Sequence, residues 1–396
     1  MNYTRWSIVC LVLSIPFVVI LWNRRSAQAL EVVRFATFDV AMSRGEPGAL
    51  LRELRSGDCD QAKKIAAIVQ RWQPDVLLLE ELDDAEEAAA VFAKQYLEVG
   101  QNGLRGISYD FKFVRPVNTG EPSGLDLDHD GVVGGPGDAY GYGAFPGQCG
   151  MALLSRHAIL VDEVRTFRLL PWSAMPGALR PAGWYDDNTW AKLRLSSKSH
   201  WDVPMSIGDP KAGGRVVHLL CSHPTPPMFD GPEDRNGCRN HDEIRFWVDY
   251  LSPDRAQWIV DDAGRAGGLA AGASFVVLGD LNCDPVDGDA RRDALQALLA
   301  HPRVQDPAPR SLGGDEQSKR QLGANARQGG DAALDTADFP DGLPDGPGNL
   351  RVDYVLPSNT LHVAACGVFW PVPNEPGALW VTASDHRLVW VDVTGL

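Results

Sequence analysis

The chain has 396 residues, 44% of them hydrophobic and 22% charged, an ordinary globular composition with enough apolar material for a sizeable core. Its 37 Lys and Arg against 52 Asp and Glu leave a net charge of −15. That balance argues against a protein that grips duplex DNA tightly without regard to sequence, because such a grip comes from neutralising phosphates, but it leaves nucleic acid open as a transient substrate.

In chain order, the first feature is the apolar run SIVCLVLSIPFVVILW at residues 7–22, followed by Arg24, Arg25 and the small-x-small triplet Ala27-Gln28-Ala29. The run is shorter than the roughly 20 apolar residues that a spanning helix needs. Residues 1–29 therefore read as an export signal, cleaved after Ala29 or retained as a signal-anchor. Both readings place the rest of the chain outside the cytoplasm, secreted, periplasmic or cell-surface. A membrane is a partner only if the segment is retained.

From residue 30 to 396 the pattern predicts one domain. EVVRFATFDV is an apolar, β-branched strand. DQAKKIAAIVQRW places Ala62, Ile65, Ala66, Ile68, Val69 and Trp72 on one helical face. Pro74 punctuates, DVLLLEEL reads as a buried strand, and residues 85–97 read as helix. This opening predicts mixed α/β structure. Further strands are expected at 150–155, 189–195, 215–221, 274–280, 351–356, 361–369 and 387–393, and helices at about 240–263 and 289–299. Two Gly-, Pro- and Asp-rich stretches, 116–150 and 311–349, read as long loop insertions. Beyond Cys10, six cysteines remain, and their spacing leaves disulfides and buried free thiols equally open.

Several expected strands end in polar corners: Asp39, Glu80-Glu81, His223, Asp280 with Asn282, and Asp353. Asp385 and His386 stand just before the last strand. Singly, each has a plain reading. Asp39 closes a turn, Glu81 starts a helix, His223 is a satisfied structural histidine, and Asp353 pairs with Arg351. Together they make a different case. Carboxylate and amide oxygens suit Mg²⁺, Mn²⁺ or Ca²⁺. Two histidines supply proton transfer near neutral pH, and a carboxylate behind one of them raises its basicity. These are the groups needed for attack of water on a phosphate ester.

The segments ATFDV, PDVLLLEEL, GMALLSRHAI, HLLCSHPTPP, VVLGDLNCDP, RVDYVLPS and SDHRLV occur in that order. In them the chain resembles the endonuclease/exonuclease/phosphatase superfamily, the group of pancreatic-type deoxyribonuclease, abasic-site endonucleases, neutral sphingomyelinases and inositol-polyphosphate phosphatases. The resemblance implies a four-layer sandwich, two mixed β-sheets face to face with helices outside. It implies metal carboxylates at Glu81 and Asp385. Asp39 stands where the family usually has Asn, as a third metal carboxylate that binds the ion or positions its water, and Glu80 stands where the family usually has Gln. Asp280 and Asn282 match the pair that handles the attacking water and the phosphate. His386, oriented by Asp353, matches the catalytic histidine, and His223 the histidine that contacts the phosphate and protonates the leaving group. The implied cofactor is Mg²⁺ or Mn²⁺.

Two further constellations stand apart. Asp126, Asp128 and Asp130 precede Gly131 at the spacing that opens an EF-hand-like loop, with Gly137 rather than Glu at the twelfth position and Asp138 next. A structural Ca²⁺ on these four acids and a solvated acidic loop are the two readings. Arg235, Arg239 and Arg245 follow His223 and are candidate contacts to substrate phosphate, since Arg forks suit that role; the other reading pairs them with nearby acids. The function that emerges is an exported, metal-dependent phosphoesterase, a phosphodiesterase or nuclease. The alternatives are a phosphomonoesterase or lipid-headgroup phosphodiesterase on the same site, and a calcium-stabilised extracellular binding module on an inactive fold. No stable protein partner is evident.

Overall fold

The computed structural model describes residues 32–208, 214–342 and 346–396. The export segment expected at 1–29 lies outside the described residues. Glu31–Leu396 forms one compact unit.

Fourteen strands and seven α-helices follow in order among the described residues. They are β1 (Val33–Met42), α1 (Ala49–Arg55), α2 (Asp60–Trp72), β2 (Val76–Leu82), α3 (Ala85–Phe92), β3 (Phe111–Phe113), β4 (Gly150–Ser155), β5 (Ala158–Ile159), β6 (Arg165–Thr166), α4 (Asp187–Trp190), β7 (His200–Ile207) and β8 (Arg215–Ser222). There follow α5 (Arg235–Tyr250), β9 (Ser274–Asp280), α6 (Asp293–Leu299), α7 (Leu312–Gln321), β10 (Ala337–Asp338), β11 (Asn349–Leu350), β12 (Asp353–Pro357), β13 (His362–Val368) and β14 (Val389–Thr394). One mixed sheet has the order β13-β14-β1-β2-β4-β3, a second β12-β9-β8-β7-β5 with β6 also on β7, and β10-β11 form a separate ribbon. β1 runs parallel to β2, and β8 parallel to β9; the other neighbours are antiparallel.

Side chains alternate across a strand, so each strand sorts its residues between two faces. Phe35 of β1, Leu78 of β2, Val391 of β14, Leu219 of β8 and Leu278 of β9 meet in one apolar layer between the sheets. The opposite residues, among them Ala36, Phe38, Leu77 and Leu79, pack under α1, α2 and α3. Phe275, Val277, Tyr354 and Leu356 on the outer face of the second sheet pack under α5 and α6. The result is helix, sheet, sheet, helix: the four-layer sandwich.

Some local expectations change. Residues 189–195 are not a strand. Asp186 caps the short helix α4 by accepting from the Thr189 amide at 2.6 Å, which turns the chain before Leu193. Between 240 and 263 the helix stops at Tyr250, and Pro253 follows. The 311–349 insertion is not wholly loop. Ser311 caps α7 through the Gly314 amide at 3.1 Å, and Gly313 and Gly314 lie so close to Trp370 and Ala332 backbone that a Cβ would clash. Those glycines masked the helix, since Gly weakens helix propensity. β7 is an additional strand, and Pro204 inside it hides the strand pattern. Cys59, Cys149, Cys221, Cys238, Cys283 and Cys366 are all free thiols.

Candidate active site

The same alternation that builds the layer between the sheets delivers the site. Val33, Phe35 and Thr37 alternate inward along β1, and the next inward residue is Asp39. Val76 and Leu78 lead to Glu80 on β2. Val217, Leu219 and Cys221 lead to His223 just past β8, and Val276 and Leu278 lead to Asp280 on β9. β12 pairs antiparallel with β9, so Asp353 lies directly opposite Asp280. Each apolar run thus ends in a buried polar residue at one rim of the sandwich.

Glu81 reaches the rim by a different route. The register with β1 and β4 slips there, and Glu81 takes φ 53°, a left-handed conformation rare for a non-glycine residue. The bulge re-aims a side chain that strict alternation would have sent toward the helices. Glu80, left facing inward, accepts from Thr37 Oγ1 at 3.0 Å and from the Asp280 amide at 2.9 Å, tying the two sheets together below the site. Burial, with Asp353 nearby, raises its pKa well above the usual carboxylate range.

His386 Nδ1 lies 3.0 Å from Asp353 Oδ2. The turn carrying it is braced: the His386 amide donates to Ser384 Oγ at 3.0 Å, Ser384 Oγ donates to the Asp39 carbonyl at 2.8 Å, and Arg387 donates to the carbonyls of Ser384 and His386. Burial opposes the charge of His386, but Asp353, Asp39 and Asp280 outweigh it and raise its pKa well above that of a free histidine. His223 is the opposite case. Burial first, then Lys198 and His386, hold its pKa well below the ordinary histidine value. Its Nε2 lies 3.5 Å from Asp280 Oδ2 and its Nδ1 3.9 Å from Asp39 Oδ2. Asp280 Oδ1 accepts from the Asn282 amide at 2.7 Å, and the Asn282 side chain donates to the Pro224 carbonyl at 3.1 Å. Burial raises Asp280 to about 8, with His386 opposing and Asp353 adding to the shift.

Asp39 Oδ2 and His223 Nδ1 are buried with no hydrogen-bond partner. Ligand atoms of Asp39, Glu81 and His223 lie within 4.8 Å of one another, as do those of Asp39, Asp280 and His386. Burial and Glu81 raise the pKa of Asp39 well above the usual value. Buried oxygens gathered this way, short of partners and reluctant to ionise together, fit a small hard cation that would supply the missing charge. Asp385 stands apart. It is exposed, lines the same cleft, and belongs to neither group.

The three arginines are not at the site. Arg239 is buried and donates to the carbonyls of Leu195, Tyr140, Arg194 and Ser196. Arg245 donates to Pro176 and Gly177 carbonyls on the outer side of α5, and Arg235 pairs with Glu233 and stacks on Trp184, 5.0 Å from the ring centroid. Sequence distance from His223 says nothing about which helix face an arginine occupies, and α5 turns Arg239 and Arg245 toward loop carbonyls and Arg235 toward Glu233. Arg351 pairs with Asp306, leaving Asp353 to His386.

At 126–138 the ligand atoms of Asp126, Asp128 and Asp130 converge, but Asp138 does not join them. Its carboxylate accepts from the amides of Leu127, Gly134 and Gly135, which organises the loop.

Two residues at the rim carried no sequence signal. Lys198, buried just before β7, is the cation that bears on His223 and Asp280. Glu243 of α5 accepts from the Ser197 amide at 2.5 Å and the Thr225 amide at 2.8 Å, fastening the loops that carry Lys198 and His223.

The family model described as Endonuclease/Exonuclease/phosphatase family matches residues 36–386. No curated protein matches the chain. Among solved structures, an endonuclease/exonuclease/phosphatase from Beutenbergia cavernae is 18% identical, with 92% of this chain and 71% of that chain covered and a TM-score of 0.46. The human Nocturnin catalytic domain, with bound sulfate anion, is 12% identical, with 92% and 94% covered and a TM-score of 0.48. Sphingomyelinase C from Streptomyces griseocarneus is 15% identical, with 91% and 99% covered and a TM-score of 0.44.

Proposed function

Since the chain belongs to the endonuclease/exonuclease/phosphatase family and is a hydrolase of phosphate ester bonds, we propose that it is an exported, divalent-metal-dependent phosphodiesterase. The observation that carries this reading is the convergence of Asp39, Glu81, His223, Asp280, Asp353 and His386 from six separate segments on one rim. An inactive binding module loses its one support, because Asp39, the departure from the family pattern, lies within ligand distance of Glu81 and His223.

Asp39 and Glu81 would hold Mg²⁺ or Mn²⁺. When bound, the ion supplies positive charge to the phosphate oxygens and lowers the pKa of water. The residues do the rest. His386, held as the cation by Asp353, donates Nε2–H to a phosphate oxygen, stabilising charge as it develops. Asp280, whose raised pKa suits a proton acceptor, takes a proton from the attacking water, and Asn282 orients that water and the phosphate. The water oxygen bonds to phosphorus, the ester P–O bond breaks, the departing oxygen takes a proton from solvent water, and Asp280 returns the one it accepted to solvent. His223, wedged between Asp39 and Asp280, orients both carboxyls.

The cleft at this rim has a volume of about 600 Å³, which leaves room for a substituent on each side of the phosphate. This supports a diester over a monoester. Assay against bis(p-nitrophenyl) phosphate and p-nitrophenyl phosphate with Mg²⁺, Mn²⁺ or chelator tests the proposal: faster metal-dependent release from the diester is expected, and equal or faster release from the monoester overturns it.

Asp126, Asp128 and Asp130 are proposed to hold a structural Ca²⁺; Asp126 Oδ1 is buried without a partner. Ca²⁺ then raises Tm in the native chain and not in Asp128→Asn. Export is proposed from residues 7–29, and an exported chain beginning at Leu30 is the cleaved form; recovery of the full chain only from the cytoplasm would refute it.

A further inference from the structure

We propose that the cleft selects a phosphodiester whose second substituent carries an organic cation, an ammonium or quaternary ammonium group. The inference rests on the phosphodiesterase reading above and specifies its substrate class.

The charge of the cleft is one-sided. No Lys or Arg lines it among the described residues. Beyond the catalytic acids the walls carry Asp287, Asp289 and Asp385. Asp287 accepts from the amides of Gly329 and Gly330, both at 2.8 Å, which fixes its carboxylate in the wall. Asp289 and Asp385 are exposed and have no ion-pair partner among the described residues. Arg327 stands in an adjoining groove that shares Phe229 and Asp289 with the cleft, but that groove also holds Asp230 and Asp234.

The walls are otherwise apolar and aromatic. Phe229 is 80% exposed and sits at φ 68°, a conformation that costs a bulky residue free energy to hold. Met228 precedes it in the wall. Phe339 stands edge-on to His386, with ring centroids 5.3 Å apart. Aromatic faces attract cations, and carboxylates beside them add direct charge.

One phosphate matches this site and a second does not. His386 and Lys198 offer positive charge at the inner end. A substrate with further phosphates, such as a nucleic acid strand or a polyphosphorylated ring, would bring them against Asp287, Asp289 and Asp385. Unpaired like charge of this kind rejects a wrong ligand as effectively as contacts select the right one. A substituent bearing a cation instead meets carboxylates and a ring.

The test compares p-nitrophenyl phosphorylcholine with p-nitrophenyl 3,3-dimethylbutyl phosphate, which has the same shape without the charge, and with bis(p-nitrophenyl) phosphate and a single-stranded oligonucleotide. We expect kcat/KM for the choline ester to exceed that for the neutral isostere at least tenfold, and the ratio to fall toward one in Asp289→Asn and Phe229→Ala. Glycerophosphocholine and phosphatidylcholine in detergent micelles then separate a soluble source of this group from a lipid one; hydrolysis of either supports the inference. Equal rates for the choline ester and its isostere overturn it while leaving the phosphodiesterase reading intact, as does faster cleavage of the oligonucleotide. Silence on every ester with every metal overturns both.

Discussion

Asp353 lies directly opposite Asp280 across the β12–β9 pair, and both carboxyls are buried. Like charges facing each other across strands are destabilising. Two things relieve the pair: burial raises the pKa of Asp280 to about 8, and His386, 3.0 Å from Asp353 Oδ2, has its charged form favoured by both carboxyls. The histidine is therefore fixed twice, by its bond to Asp353 and by the electrostatic need of its neighbours.

Asp353→Asn removes that fixing. The amide can accept from His386 Nδ1 but no longer favours the imidazolium. We expect kcat/KM to fall by about 10²–10⁴-fold, with the pH–rate profile displaced to lower pH. A profile identical to the native one would show that Asp353 only packs.

Glu81→Gln tests the ion site without reference to turnover. Titration calorimetry with Mg²⁺ or Mn²⁺ is expected to give affinity at least about tenfold weaker than in the native chain. Unchanged affinity would move the metal elsewhere.

Gly279 precedes Asp280 at φ 148°, and a Cβ there would stand 1.9 Å from the Ser222 carbonyl oxygen. β8 and β9 pass too closely for any side chain. Gly279→Ala is expected to cost more than about 1 kcal/mol in urea unfolding and to depress activity by shifting Asp280. A variant with native stability would refute the close approach.

His241 gives a pH dependence away from the catalytic rim. Its Nδ1 lies 2.9 Å from Asp242 and its Nε2 3.1 Å from Asp293, linking α5 to α6. Burial alone would lower its pKa, but the two carboxylates outweigh burial and raise it above 6.5. A raised pKa stabilises the fold fully below the unfolded value of about 6.5 and ceases to do so as pH rises through the folded value. The Tm difference between native and His241→Gln should be largest at acid pH and shrink above neutrality. A difference constant from pH 5 to 9 would contradict this.

Much of the fold was legible because it rests on alternation. The runs leading to His223 and Asp280 are apolar on the inward face until the last residue, and the run to Asp39 is so as far as Phe35. The chain order of the polar corners was equally plain. What could not be read was what needs three dimensions. Lys198 sits in SSKSHW, a stretch with no pattern, and reaches the site only through the placement of β7. Glu81 escapes its strand's alternation through a bulge that local sequence does not announce. The arginines of α5 look like phosphate ligands in one dimension, but Arg239 and Arg245 hold loop carbonyls and Arg235 pairs with Glu233. Asp138 continues the acidic spacing on paper, yet its carboxylate is occupied by backbone amides.

The most direct test of the account is hydrolysis of bis(p-nitrophenyl) phosphate by the native chain and by His386→Ala, with Mn²⁺ and with chelator, alongside the Tm of each. We predict metal-dependent turnover in the native chain, its loss in a variant that still folds, and silence of both in chelator. Turnover by folded His386→Ala at the native rate would contradict the assignment of this rim as the catalytic centre.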